Sequence, residues 1–167
     1  MTQSALNKNT SSKIEKKFWL MKSEPEVFSI STLKKSKSTL WEGVRNYQAR
    51  NYMMNEMQPG DLVLFYHSSC EIPGVYGFAK VSSKATPDPT QFNKKSEYYD
   101  AKATKEKPTW FCVEITFVSE FKKPLSLNEI KEDTNLKDML VIRKGQRLSI
   151  QPVSFNDFNY IQQLVNK

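Results

Sequence analysis

The sequence predicts an α+β fold, a mixed and largely antiparallel barrel or curved sheet with helices packed outside it. Two observations carry this. Strand-length apolar segments dominate the middle of the chain, at Asp61–His67, Val75–Ser82 and Trp110–Val118. No strand-like segment is followed by a long crossover helix, which argues against a doubly wound parallel sheet.

Residues 1–16 are polar and read as a disordered or tag-like tail, which leaves one domain over residues 18–165. Phe18-Trp19-Leu20-Met21 has the length of a strand, and Lys22-Ser23-Glu24-Pro25 ends it because proline cannot extend the ladder. Polar side chains are therefore expected at that strand's mouth. Ser29 is placed as an N-cap, with Phe28 and Leu33 as a hydrophobic staple, for a short helix over 30–36. Thr39-Leu40-Trp41 predicts a strand, followed by a turn at Gly43. From Asn46 the apolar positions Ala49, Met53 and Met57 recur at helical spacing, and Pro59-Gly60 stops that helix.

Asp61–His67 predicts a buried strand. After a turn over Cys70–Gly74, the segment Val75–Ser82 alternates around Gly77 and Ala79, two small residues that suggest another surface close by. Pro87-Asp88-Pro89 opens a polar, lysine-rich excursion to Pro108 that carries Tyr98-Tyr99-Asp100, and long loops in compact domains are often functional. Trp110–Val118 places Phe111, Val113, Ile115 and Phe117 on one face of a strand. Ser126 and Glu129 form a capping box, stapled by Leu125 and Ile130, for another short helix. Leu136–Ile142 is apolar. Arg143–Arg147 then turns into a strand at Leu148–Pro152, and Ser154 with Asp157 caps a last helix whose stripe is Phe158, Ile161 and Val165.

At 167 residues the chain can bury a real core. No apolar run approaches the roughly 20 residues needed to cross a bilayer, and the N-terminus lacks the apolar region of a secretion signal. A soluble protein is expected, with no membrane partner. Cys70 and Cys112 are too few for a disulfide framework, and the single histidine, His67, cannot build a histidine-rich site. This predicts a reducing interior with no metal and no cofactor. The patterns GxGxxG, GxxxxGKS/T, GxSxG and HExxH do not occur, which removes the common cofactor and hydrolase chemistries.

The net charge of +7 fits a polyanionic partner. Of 25 basic residues only Arg45, Arg50, Arg143 and Arg147 are arginines, confined to segments 41–51 and 143–151. A planar guanidinium pairs bidentately and stacks on rings, so a chain that otherwise uses lysine points to these two segments. The first, Trp41-Glu42-Gly43-Val44-Arg45-Asn46-Tyr47-Gln48-Ala49-Arg50-Asn51, also packs buried-type aromatics beside amides that need partners.

That segment, together with Trp19-Leu20-Met21-Lys22-Ser23-Glu24-Pro25 and Pro59-Gly60-Asp61-Leu62-Val63-Leu64-Phe65-Tyr66-His67-Ser68, resembles the EVE domain. Pro87-Asp88-Pro89, Tyr98-Tyr99-Asp100 and Arg143–Ser154 continue the resemblance, which covers about residues 18–165. The thymocyte nuclear protein family is the eukaryotic branch. The resemblance implies a PUA-like pseudobarrel of five to six strands, related to the YTH and SRA readers of modified bases. It implies non-catalytic binding of a modified nucleobase in DNA or RNA, by a monomer, in the cytoplasm for a bacterial-type lone domain and in the nucleus for a eukaryotic one. In the loops this sequence departs from the family, with lysine and serine in place of a more varied charge pattern.

Holding a base outside its stack takes a flat face plus donors and acceptors for the base edge. Trp41 can supply the face, with stacking worth roughly 1–3 kcal/mol, or can pack in the core behind the pocket. Asn46 offers a donor and an acceptor, and also suits a helix N-cap. Glu24 can accept from an exocyclic amine or pair with Lys22 or an arginine. Arg45 can meet phosphate or orient Glu24, whereas Arg50 reads as structural. Tyr66, His67 and Ser68 end a strand as wall residues, with His67 lacking the partner a catalytic base needs. Tyr98 and Tyr99 either close over a ligand or simply pack the loop. The expected pocket is bounded by Lys22, Ser23, Glu24, Trp41, Val44, Arg45, Asn46, Tyr66, His67, Ser68, Tyr99, Leu148, Ser149, Gln151 and Pro152. Arg143, Lys144, Gln146 and Arg147, around Gly145, are candidates for phosphate. An enzyme acting on modified nucleic acid, a glycosylase or nuclease using Glu24 or His67, is the competing expectation. A small-molecule or protein-binding module is the third.

Overall fold

The structure is a computed structural model that describes residues 15–167, so the expected tail lies almost wholly outside the described residues. The described residues form strands β1 (Phe18–Ser23), β2 (Ser38–Leu40), β3 (Leu62–His67), β4 (Gly74–Val81), β5 (Thr86–Pro87), β6 (Phe111–Cys112), β7 (Glu114–Ser126) and β8 (Ile150–Val153). The α-helices are α1 (Ile30–Ser36), α2 (Tyr47–Asn55), α3 (Leu127–Glu132) and α4 (Phe155–Val165). Six strands make one curled sheet, a half-barrel, in the order β2-β7-β4-β3-β1-β8, and β5 pairs with β6 in a separate ribbon. Only β1 and β3 run parallel within the large sheet; the other neighbours are antiparallel. The mixed, largely antiparallel sheet read from the sequence is thus present.

Both faces of the sheet are covered, which explains why β1 and β3 read as continuous apolar runs rather than alternating ones. Trp19, Met21, Val63 and Phe65 point to one side and join Ile30 and Leu33 of α1 with Ala49 and Met53 of α2. Leu20 and Leu64 point to the other and join Ile130, Phe158 and Ile161. Buried Asp61 fastens the start of this arrangement. It accepts from Lys17 N at 3.0 Å, from Trp19 Nε1 at 3.0 Å and from Gln58 N at 2.9 Å. Asp61 therefore lies just outside β3, which begins at Leu62.

The predicted caps are in place. Ser29 accepts from Thr32 N, Asn46 from Ala49 N and Ser154 from Asp157 N, and Ser126 with Glu129 makes the complete capping box. At Gly77 an added Cβ would meet the Ser119 carbonyl and, at 2.8 Å, the side chain of Ile30, so the close neighbour expected there is both β7 and α1. One strand differs from expectation. The segment read as Trp110–Val118 is divided at Val113, and β7 then continues to Ser126. Only its first three residues pair with β2, and Phe117 N adds a bond to the Lys37 carbonyl at 2.8 Å, so beyond Phe117 that edge of β7 is unpaired and Pro124 costs no ladder bond. Two register shifts against β4 bend it around the sheet.

Candidate functional site

Where β1 ends, an open cavity of about 610 Å3 is lined by the strand's mouth, the loop after β2 and the tip of the long loop. Pro25 stops β1, and the Glu24 carbonyl accepts from Val27 N and Phe28 N, both at 2.9 Å. The resulting turn leaves the Glu24 carboxylate facing the opening. Ser23 donates through Oγ to the Phe28 carbonyl at 2.7 Å, and Lys22 N donates to the Ser149 carbonyl at 2.9 Å, which holds the approach to β8 against the same wall. Burial lowers the Lys22 ammonium below its ordinary value, and Nζ lies 5.8 Å from the centre of the Tyr66 ring.

Trp41 stands between the cavity and the core. It lines the cavity, and its indole is edge-on to Phe65 at 5.6 Å within the core. Beyond it the chain turns at Gly43, whose φ of +84° favours glycine; a Cβ there would also lie 2.8 Å from the Tyr98 ring. Gly43 N donates to Asp88 Oδ2 at 2.8 Å. Asp88 is fully buried, and it also accepts from Arg45 Nη1 at 3.0 Å, from Thr90 N at 2.8 Å and from the Thr90 hydroxyl. Burial pushes this carboxyl up, but the hydrogen bonds from Thr90, Gly43 and Arg45 outweigh it and hold the group below its ordinary value.

Arg45 uses its whole guanidinium inside the protein. It donates to the Tyr98 carbonyl through Nε and Nη2, to the Val44 carbonyl and Asp88 through Nη1, and to Thr90 Oγ1 through Nη2. It contributes a wall to the cavity rather than a free fork for phosphate. The cavity's charge is consequently acidic in balance, with Glu24, Glu42 and Glu97 set against Lys22 and the already paired Arg45. Burial, then the charge of Asp88, raises the Glu42 carboxyl above its ordinary value. This acidity stands out in a chain of net charge +7.

Lys22, Ser23, Glu24, Trp41, Val44, Arg45 and Ser149 are thus brought together at one cavity. Other expected wall residues do not line it, and each has a physical reason. Asn46 spends its side-chain oxygen as the cap of α2, accepting from Ala49 N at 3.0 Å. Tyr66 is buried beside Lys22 in the core on the Leu20 side of the sheet, and burial, then Cys70, pushes its phenol up to about 12. His67 accepts from Ile30 N through Nε2 at 3.1 Å and stacks on Tyr76 at 4.0 Å, facing a different cavity of about 480 Å3. Ser68 returns its backbone N–H to the Ser23 carbonyl. Tyr99 is exposed, and its neighbour Tyr98 lines the cavity instead. Leu148 is in the core, and Gln151 and Pro152 face a third cavity, with Gln151 Nε2 donating to the Leu148 carbonyl at 2.9 Å. Arg143, Lys144 and Arg147 are exposed on the turn at Gly145, and Gln146 Oε1 accepts from Leu148 N at 3.3 Å.

Asp88 and Glu42 are residues that the sequence reading left out of the pocket, and Tyr98, weighed there beside Tyr99, lines the cavity. Asp88 carried a signal in its motif, because a carboxylate between two prolines has no adjacent N–H on its C-terminal side and must find its donors elsewhere. Among the described residues no group of three or more His, Cys, Asp and Glu could hold a metal ion, and no helix is long and apolar enough to cross a membrane.

A family model described as the EVE domain matches residues 17–164. Thymocyte nuclear protein 1 of Gallus gallus is 41% identical over 172 residues, covering 92% of this chain and 70% of the relative. The Homo sapiens protein of that name is 39% identical over 168 residues, covering 89% and 74%. Among solved structures, a Pseudomonas syringae protein is 46% identical with a TM-score of 0.84, covering 88% of this chain and 98% of that one. The human THYN1 protein, solved in complex with 5-methylcytosine-containing DNA, is 40% identical with a TM-score of 0.83, covering 91% and 99%. A domain match across nearly the whole described chain, with a shared fold and about two residues in five identical, assigns it: the chain belongs to the EVE domain family.

Proposed function

We propose that this protein binds nucleic acid without turnover, as a monomer, by accepting a modified base into the cavity beside Trp41. The observation that carries this is an acid-balanced, tryptophan-walled cavity in a basic chain. Carboxylates repel phosphate, so the cavity suits a base that presents an exocyclic amine, while the sugar–phosphate strand follows the lysines outside. Glu24 accepts from the amine, the Trp41 indole borders the ring, and Lys22 offers a donor to a carbonyl on the same edge. The human relative's complex with 5-methylcytosine-containing DNA makes methylated cytosine in DNA the first base to try. Its edge carries the amine and the carbonyl that these groups would meet. RNA carrying the same base is the second arm.

The test is fluorescence anisotropy with 12-nucleotide DNA and RNA probes, single- and double-stranded, that contain one 5-methylcytosine or the parent cytosine. The methylated probe is expected to bind more tightly. Affinity for both falls steeply with salt. Trp41→Ala and Glu24→Gln lower the preference. Equal binding of methylated and parent probes across the panel sinks the proposal.

A further inference from the structure

A strip of rings and guanidinium groups leads from the wall of this cavity to the surface. Tyr98 and Arg45 both line the cavity, with the Arg45 guanidinium carbon 5.5 Å from the centre of the Tyr98 ring. Arg45 also lies 5.3 Å from the centre of the Trp110 ring. Trp110 is buried and held in place, its indole N–H donating to Asp100 Oδ2 at 2.9 Å. Tyr47, the first residue of α2, stacks on Trp110 with centroids 5.0 Å apart and planes at 24°. Arg50, one helical turn on, sits 4.8 Å from the Tyr47 ring and is itself fixed by donating to the Thr109 carbonyl at 2.9 Å.

The strip ends in the open. Tyr47 is 61% exposed although its ring is clamped, an unusual state for a tyrosine whose only task is packing. The loop that carries Trp110 adds exposed Lys94, Lys95, Lys102, Lys105 and Lys107. An outward aromatic with a guanidinium 4.8 Å from its ring, stacked on a tryptophan that a lysine-rich loop carries, matches what an unpaired nucleotide needs, a face for the base and cations for the phosphates.

We infer that Tyr47, with Arg50, is a second subsite, one that stacks the base of the nucleotide next to the one whose base enters the cavity. This rests on the function proposed above for the cavity itself. The cavity wall and Tyr47 are joined by successive contacts, Tyr98 to Arg45 at 5.5 Å, Arg45 to Trp110 at 5.3 Å and Trp110 to Tyr47 at 5.0 Å, so a strand that follows this strip passes from the cavity to the exposed ring. Stacking tolerates every base, so the subsite supplies affinity and not sequence preference.

The experiment compares wild type, Tyr47→Ala and Tyr47→Phe on two probes, 5-methyldeoxycytidine 5′-monophosphate and a single-stranded 12-mer with one central 5-methylcytosine beside a 2-aminopurine. Tyr47→Ala is expected to weaken the 12-mer about five-fold or more and to leave the mononucleotide unchanged. It also abolishes the quenching of 2-aminopurine that stacking produces in the wild type, whereas Tyr47→Phe retains both affinity and quenching. Equal affinity of Tyr47→Ala and wild type for the 12-mer overturns the inference, as does a loss of the same size for the mononucleotide. A wild type that ignores methylation refutes the cavity's role while the quenching result still decides the subsite.

Discussion

Asp88 and Gly43 are joined by a 2.8 Å hydrogen bond across 45 positions of sequence, from a glycine N–H to a carboxylate with no exposure to solvent. That bond and the Arg45 pair on the same oxygen fasten the loop after β2 to the start of the long loop. Removing the carboxylate orphans the N–H of Gly43 and leaves a half-buried guanidinium without its counter-charge. Asp88→Ala is expected to cost about 3 kcal/mol in chemical denaturation and to abolish binding at the cavity.

Asp88 also fixes an acid limb. Its carboxyl ionises below the ordinary 3.8, so its contribution is complete above that value and is lost as pH falls through the lower, folded one. Urea titrations at pH 6 and pH 3 are expected to show wild type losing stability more steeply than Asp88→Asn, which begins from a lower plateau.

His67 gives a dependence at higher pH. Burial lowers its imidazole below the ordinary 6.5, with the charge of Glu120 opposing, and its Nε2 can accept from Ile30 N only while neutral. The unfolded chain therefore binds the extra proton, and stability is full above 6.5 and declines as pH drops beneath it. Thermal melts at pH 7.5 and 5.5 are expected to separate more for wild type than for His67→Ala, once the other groups' shared shift is subtracted.

Gly43→Ala combines two penalties, a positive φ and a collision with the Tyr98 ring. A destabilisation of about 1–3 kcal/mol is expected, measured by denaturant midpoint. Gly60→Ala has a positive φ but open space around the added Cβ, and serves as the milder comparison.

Trp19→Phe keeps the ring but removes the indole N–H, leaving Asp61 with two of its three donors. The expected loss is about 1–3 kcal/mol.

What could be read in the chain beforehand was local chemistry. Ser29, Asn46, Ser126 with Glu129, and Ser154 each bond to a backbone N–H three residues on, so the caps were visible as short patterns. The apolar runs of β1 and β3 announced strands for the same reason. Long-range partners left no such trace. The choice of Tyr98 over Tyr99 for the cavity is made in a loop with no period. The hydrogen bond that takes His67 away from the cavity spans 37 residues to α1. The length of β7 was hidden because Pro124 is a stop signal only where its missing N–H would have been used.

Strand β1 lies inside the sheet, with β3 on one side and β8 on the other, and Phe18 pairs with Val153 near the far end of the chain. A chain leaving the ribosome therefore offers β1 long before β8 exists. Until β8 emerges, Phe18-Trp19-Leu20-Met21 presents an unpaired, strongly apolar edge, the feature that draws strands from other copies. Synthesis that stalls short of residue 150 is expected to yield aggregate rather than a smaller folded protein.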